Sequence, residues 1–232
     1  MARVLILREA ADAGRTASDL AALGHEPLLL PVEETRSLDD PPPPGRFAGF
    51  AVTSARAVPA LAAHFPGDAR PVFAVGERTA AAARAAGLPH VQAAPGTADA
   101  IGQLALATGL EPGDHLLYAA GRRRTGTLET ALTAASLGFA VWEVYAVVPV
   151  EPDAAVVRAA LGGVPPDAVL ILSAGQAEAF GRLAARHPGL FEPLPTLLAL
   201  SARIAEALPP ALAGAARISP TPRLASLFEW LG

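Results

Sequence analysis

Residues 71–101, PVFAVGERTAAAARAAGLPHVQAAPGTADAI, and residues 195–227, PTLLALSARIAEALPPALAGAARISPTPRLASL, follow one plan. Each opens on Pro and a short apolar run, then turns through a small residue into an Ala-rich helical stretch. A second short run and a Pro closely followed by Thr come next, and another helical stretch closes the segment. Two further pairs repeat in the same chain. FAGFAVTSARAVPALAAHF (47–65) parallels PDAVLILSAGQAEAFGRLAARH (166–187), and the strand–loop–helix–Leu-Gly–strand pattern of 3–34 returns in 114–152. Two copies cannot stack into an array, so duplication on this scale implies two similar α/β lobes rather than a solenoid.

Within each copy, short β-branched or Leu-rich runs alternate with helical patterns. Strands are expected at 3–7, 27–32, 48–53, 71–75, 90–92, 115–118, 140–148, 168–172, 196–200 and 216–218. Helices are expected around 55–64, 77–86, 98–107, 127–137, 175–186, 202–209 and 221–231. Such alternation argues for βαβ units, parallel sheets and helices on both faces. Two segments suit passages between lobes. VEETRSLDDPPPPG (32–45) is polar and Pro-rich and reads as a loop, whereas VYAVVPVEPD (144–153) is an extended apolar run ending in prolines. If both cross, residues 1–33 join 150–232 around an inserted 38–146. Tandem halves satisfy the local pattern equally well.

Composition narrows the chemistry. In 232 residues, 52% are hydrophobic and 17% charged, enough apolar material for two cores. The count of Cys is 0, which excludes disulfides, thiolate nucleophiles and Cys-bound metals and fits a reducing cytoplasm. All 18 basic side chains are Arg, so Schiff-base chemistry and a P-loop lysine are excluded. A net charge of −4 offers no field for nucleic acid, and no apolar run reaches the length of a membrane span. The opening MARVLILREAADAGR reads as a first strand, not an export signal. His25, His64, His90, His115 and His187 lie in unrelated segments without metal-ligand spacing, and neither G-x-S-x-G nor G-x-G-x-x-G occurs.

Ligands of open parallel sheets sit beyond the C-terminal ends of the strands. The residues expected there are Ser54, the turn Gly76-Glu77-Arg78-Thr79, the loop Gly121–Thr127, Ser173 and Ser201. Small hydroxyl and glycine residues let an anion approach the backbone closely, although each Ser or Thr is also an ordinary helix cap. Arg122, Arg123 and Arg124 precede an expected helix, whose dipole disfavours cations at that end, so the loop makes sense beside an anion.

Taken together, VTSARAV, FAVGERTAAAARAAGL, LLYAAGRRRTGTLETALTAASLGFAVWEVYAVVPV, ILSAGQAEAF, LALSARIAEAL and ISPTPRLASLFEWL resemble the uroporphyrinogen-III synthase family across essentially the whole chain. The order and spacing of T-S-x-x-A-V, V-G-x-x-T-A, a Tyr ending the middle strand and a closing P-T-P carry the likeness. Departures are Ala55 and Ala174 where the family has Pro, and Ser201, Arg203 and Ile204 where it commonly has Gly, Thr and Thr.

The resemblance implies an α/β fold of two similar lobes, each a parallel sheet flanked by helices, joined by a two-stranded linker at about 33–37 and 146–150. One lobe is discontinuous, 1–33 plus 150–232, and the other, 38–146, is inserted. The implied substrate is the linear tetrapyrrole hydroxymethylbilane, an octacarboxylate, which loses water and closes with inversion of its last pyrrole ring. Tyr145 is the implied catalytic phenol. Ser54, Gly76, Thr79, Gly121, Arg122, Ser173, Ser201 and Thr221 are the implied substrate contacts, and Tyr118 is structural. No cofactor or metal is implied, and the expected protein is a cytoplasmic monomer that receives its substrate from hydroxymethylbilane synthase. A non-catalytic tetrapyrrole- or anion-binding regulator of the same fold is the second reading, kept open by the altered LALSARIAEAL.

Overall fold

The computed structural model describes residues 1–231, the side chain of Ala11 aside. The chain begins β1 (Arg3–Ile6), α1 (Ala10–Ala22), β2 (Glu26–Leu29) and β3 (Glu33–Ser37). There follow β4 (Gly49–Val52), α2 (Val58–His64), β5 (Val72–Val75), α3 (Gly76–Ala85), β6 (Val91–Ala94) and α4 (Ala100–Ala107). Next come β7 (His115–Gly121), α5 (Thr127–Ala134) and β8 (Gly138–Pro149). The last part is α6 (Ala154–Leu161), β9 (Ala168–Ile171), α7 (Ala174–Arg186), β10 (Thr196–Ala199), α8 (Ala202–Ala205), α9 (Pro210–Ala213), β11 (Ala216–Ile218) and α10 (Leu224–Phe228).

These elements form two compact units, Met1–Glu34 with Val148–Gly232, and Thr35–Val147. In the first, the strand order is β11-β10-β9-β1-β2, every pair parallel. β1 pairs with β9, Val4 opposite Ala168, so residues far apart in sequence meet at the middle of the sheet. One face packs Leu5, Leu7, Val169, Ile171 and Leu197 against Phe180 and Leu183 of α7 and Val157 of α6. Val4, Ile6, Leu170 and Leu198 cover the other face with Ala13 and Leu20 of α1 and Leu227 of α10. Strands covered on both faces carry continuous apolar runs, which is why RVLI and AVLI read so plainly.

In the second unit the order is β3-β8-β7-β4-β5-β6, with β4 to β8 all parallel. Phe50, Val52, Val72, Leu117 and Trp142 meet α2 and α3 on one face, and Phe73, Leu116, Tyr118 and Ala120 meet α4 and α5 on the other. The repeated segments explain both orders. Matching β1, β2, β9, β10 and β11 to β7, β8, β4, β5 and β6 turns one strand sequence into the other. The chain therefore makes one parallel, helix-flanked fold twice, entering it at a different point each time.

Residues 33–37, a loop by their composition and one strand of a two-stranded linker by the resemblance, form β3 at the edge beside β8. Val150 N donates to Val32 O and Leu38 N to Val144 O, numbering that runs in opposite senses and makes the pair antiparallel. EETRS has no apolar alternation; its strand state comes from the ladder, and its charges suit an exposed edge. Among the described residues no helix is long and apolar enough to cross a membrane.

Candidate functional site

Each sheet has a switch point where successive connections leave in opposite directions, and ligands of such sheets sit beyond the strand ends there. In the second unit it lies between β4 and β7. Chain leaving β4 supplies Thr53 and Ser54; chain leaving β7 supplies Gly121 and Arg122. The Ser54 hydroxyl accepts from Arg56 N at 3.3 Å and caps the short helical turn that follows. Thr53 Oγ1 lies 3.0 Å from the hydroxyl of Tyr118, a residue only 2% exposed. Burial pushes the Tyr118 phenol above its ordinary pKa, and the Thr53 bond offsets part of that shift. This partly buried pair ties β7 to the chain leaving β4.

Tyr145 lies on β8, beside the end of β7. It pairs with Gly121 across the β7–β8 ladder, and its carbonyl accepts from Arg122 N at 2.9 Å. Its ring covers the Gly121 backbone so closely that a Cβ there would lie 2.6 Å from the ring Cζ. The residue is half-buried. Its hydroxyl has no hydrogen-bond partner among the described residues.

The arginine loop is already partly neutralised. Arg124 donates to Glu129 Oε1 and to Glu143 Oε1, both at 2.9 Å, while Arg122 Nε donates to Glu143 Oε2 at 3.2 Å. Arg124 and then Arg122 hold the Glu143 carboxyl below its usual range, and Glu143 in turn raises Arg124. Glu129 lies in the first turn of α5, where a carboxylate also favours the helix dipole. The three cations thus do not face a bare helix terminus. Arg123 is exposed and makes no side-chain hydrogen bond or ion pair among the described residues.

One strand over, Gly76 begins α3 at φ +71°, a left-handed conformation that favours glycine, and the α3 terminus has no side-chain cap. Thr79, on the first turn, is 6% exposed and turned inward.

The first unit has its switch point between β1 and β9. Ser173 caps α7 through Gln176 N at 3.1 Å. The Gln176 side chain, 3% exposed, accepts from Leu172 N at 2.9 Å and donates to Glu33 Oε1 at 3.0 Å. Arg8, just past β1, bonds Thr16 at 3.2 Å. Ser201 precedes α8 without making a side-chain cap. Thr221 is exposed, 2.5 Å from Ser226 Oγ, and its carbonyl accepts from Ser219 Oγ.

All the expected site residues therefore fall at or just past the C-terminal edges of the two sheets: Tyr145 on β8, Gly121 at the end of β7, Gly76 and Thr79 in the first turn of α3, and the others just after β4, β7, β9, β10 and β11. Gly121, Arg122 and Tyr145 touch directly, and Ser173 and Ser201 leave neighbouring strands. Sequence reasoning passed over Thr53, Glu143, Gln176 and Arg8. Glu143 sits two residues before Tyr145 on one strand, a spacing that could have marked it. Among the described residues no cluster of His, Cys, Asp and Glu could hold a metal ion.

Comparison with known proteins bears on these features. The chain aligns over its full length with a uroporphyrinogen-III synthetase structure from Helicobacter pylori, covering 98% of that chain at 16% identity and a TM-score of 0.62. A mutant uroporphyrinogen III synthase from the extreme thermophile Thermus thermophilus aligns with 100% of this chain and 97% of its own, at 21% identity and a TM-score of 0.51. At such identities the likeness is one of fold. No individually curated protein sequence matches. The family model described as uroporphyrinogen-III synthase HemD matches residues 14–229, and the chain belongs to that family.

Proposed function

We propose that this chain is a cyclising hydro-lyase, a uroporphyrinogen-III synthase that converts hydroxymethylbilane to uroporphyrinogen III and water. The observation that carries this reading is the family match over residues 14–229. The site geometry supports it. The electron-rich terminal pyrrole expels hydroxide with little help, and unaided closure gives the uninverted isomer, so the protein must govern geometry more than reactivity. One half-exposed phenol, Tyr145, has a hydroxyl free to donate to the departing oxygen so that it leaves as water.

Eight substrate carboxylates call for N–H donors and guanidinium groups rather than a positive protein. In this reading Arg123 and the first-turn amides of α3 take carboxylates in the second unit, with Ser54 and Gly76 shaping the approach. Ser173, Ser201 and Thr221 serve the first unit in the same way. Thr79 supports α3 from within. The reaction as written needs no cofactor. The chain acts as a cytoplasmic monomer that takes its substrate from hydroxymethylbilane synthase.

The test is to incubate the protein with hydroxymethylbilane, oxidise the products and separate the porphyrin isomers. Wild type should yield isomer III, and Tyr145→Phe should lower kcat roughly 10- to 1000-fold while leaving the fold intact. Isomer I alone from the wild type would reduce the chain to a binding protein. Full turnover by Tyr145→Phe would remove the phenol from the reaction.

A further inference from the structure

β7 and β8 pair in step from His115 opposite Gly138 to Ala120 opposite Glu143, and then slip, so that Gly121 stands opposite Tyr145. Val144 is the additional residue on β8. In an unslipped parallel pair Gly121 would face Val144, and Tyr145 would point to the other side, the one shared by Tyr118 and Ala120. The slip instead carries Tyr145 onto the face of Leu117, Ala119 and Val144, against which its ring packs. Irregularities of this kind re-aim a side chain beside a functional site.

Space for the re-aimed ring comes from Gly121. Its φ is not among the positive values, so the backbone itself does not demand glycine. A Cβ would meet Tyr145 Cζ at 2.6 Å, and Cε2 and the phenol oxygen at 2.8 Å each, and all three of these nearest atoms belong to the one ring and its hydroxyl. Both the slip and the missing side chain serve the same ring.

We infer that Gly121 is a positioning residue: its bare backbone, together with the register slip, is the seat that aims the Tyr145 hydroxyl. This rests on the role proposed for Tyr145 and replaces direct substrate contact as the work of Gly121. The clashing atoms belong to the far end of a side chain that can swing, so Gly121→Ala folds with the ring displaced. A displacement near 1 Å can cost about 100-fold in rate.

The experiment is a double-mutant cycle on the full chain with hydroxymethylbilane. Gly121→Ala should lower kcat roughly 10- to 100-fold with KM changed less than about threefold, in the range a misplaced group produces. In a Tyr145→Phe background, where no hydroxyl remains to be aimed, the same change should cost less than about threefold. An equal loss in both backgrounds, or none in either, overturns the inference. Thermal unfolding supplies a readout that needs no activity. Any fall in Tm caused by Gly121→Ala should vanish when measured against Tyr145→Ala, whose side chain leaves room for the methyl. A fall that persists there overturns the seat even if Gly121→Ala is too unstable to assay. Should wild type make no isomer III, the proposed reaction fails, while the Tm comparison still decides whether Gly121 seats the ring.

Discussion

Arg122, Arg123 and Arg124 are adjacent and chemically identical, yet their surroundings divide their work. Arg122 and Arg124 share Glu143, and Arg124 also holds Glu129, whose second carboxylate oxygen is buried without a partner. Arg124 is the keystone of that group, and its removal strands Glu129 and leaves Glu143 to Arg122 alone. Arg123→Gln should therefore raise KM for the tetrapyrrole by about 3- to 10-fold, an effect that shrinks as salt screens the carboxylate. Its melting temperature should stay near wild type. Arg124→Gln should instead lower stability by about 1 kcal/mol, a modest figure because these ion pairs are partly exposed. Equal KM effects at the two positions, or none at Arg123, would refute the division. Neither a sequence window nor composition distinguishes the three, because the distinction lies in Glu143, which reaches the loop from another strand.

At the scale of elements, α4 and α5 approach closely at Gly102, where a Cβ would lie 2.8 Å from Ala131 O and 2.9 Å from Ala135 Cβ. Alanine in a helix interior gains up to about 1 kcal/mol over glycine, while overpacking costs about 1–3 kcal/mol. The carbonyl cannot swing aside as a side-chain tip can, so Gly102→Ala should destabilise by about 1–2 kcal/mol in denaturant titration. A stabilised variant would show that the helices part easily. Elements of this kind were legible in proportion to how local their causes are. VLIL and VFAV announce strands because burial on both faces needs apolar residues throughout. EETRS does not announce one, because its partner strand lies over a hundred residues away. The helix expected over 202–209 stops at Ala205, before Pro209 and Pro210, whereas that over 175–186 runs nearly as read. Ser54 and Ser173 could be placed after strands from sequence, and both prove to cap the next turn. Tyr145 could be named by motif, but not aimed, since a one-residue slip leaves no mark in the residues themselves.

At the scale of the molecule, the two units are alike in strand order but not in connectivity, and that difference is measurable. Thr35–Val147 is one continuous segment carrying a parallel sheet with a hydrophobic cluster on each face. The other unit needs two segments, because β1 lies between β9 and β2 within its sheet. Residues 1–34 bring Val4, Leu5, Ile6, Leu7, Leu20, Leu28 and Leu30, all buried. At about 1.5–3 kcal/mol for each buried side chain, their loss exceeds or matches the roughly 5–15 kcal/mol by which a whole domain is stable. It also bares the edge of β9, a strand built to be covered on both sides. A fragment of residues 35–147 should therefore fold alone, with a cooperative thermal transition and ordered aromatic circular dichroism. A fragment of residues 148–232 should remain unfolded until a peptide of residues 1–34 is added, and should then gain a transition whose midpoint rises with peptide concentration. Cooperative folding of 148–232 by itself would mean that β1 is dispensable and that the discontinuous unit is not a single folding domain. An unfolded 35–147 would mean that the inserted unit depends on the rest of the chain.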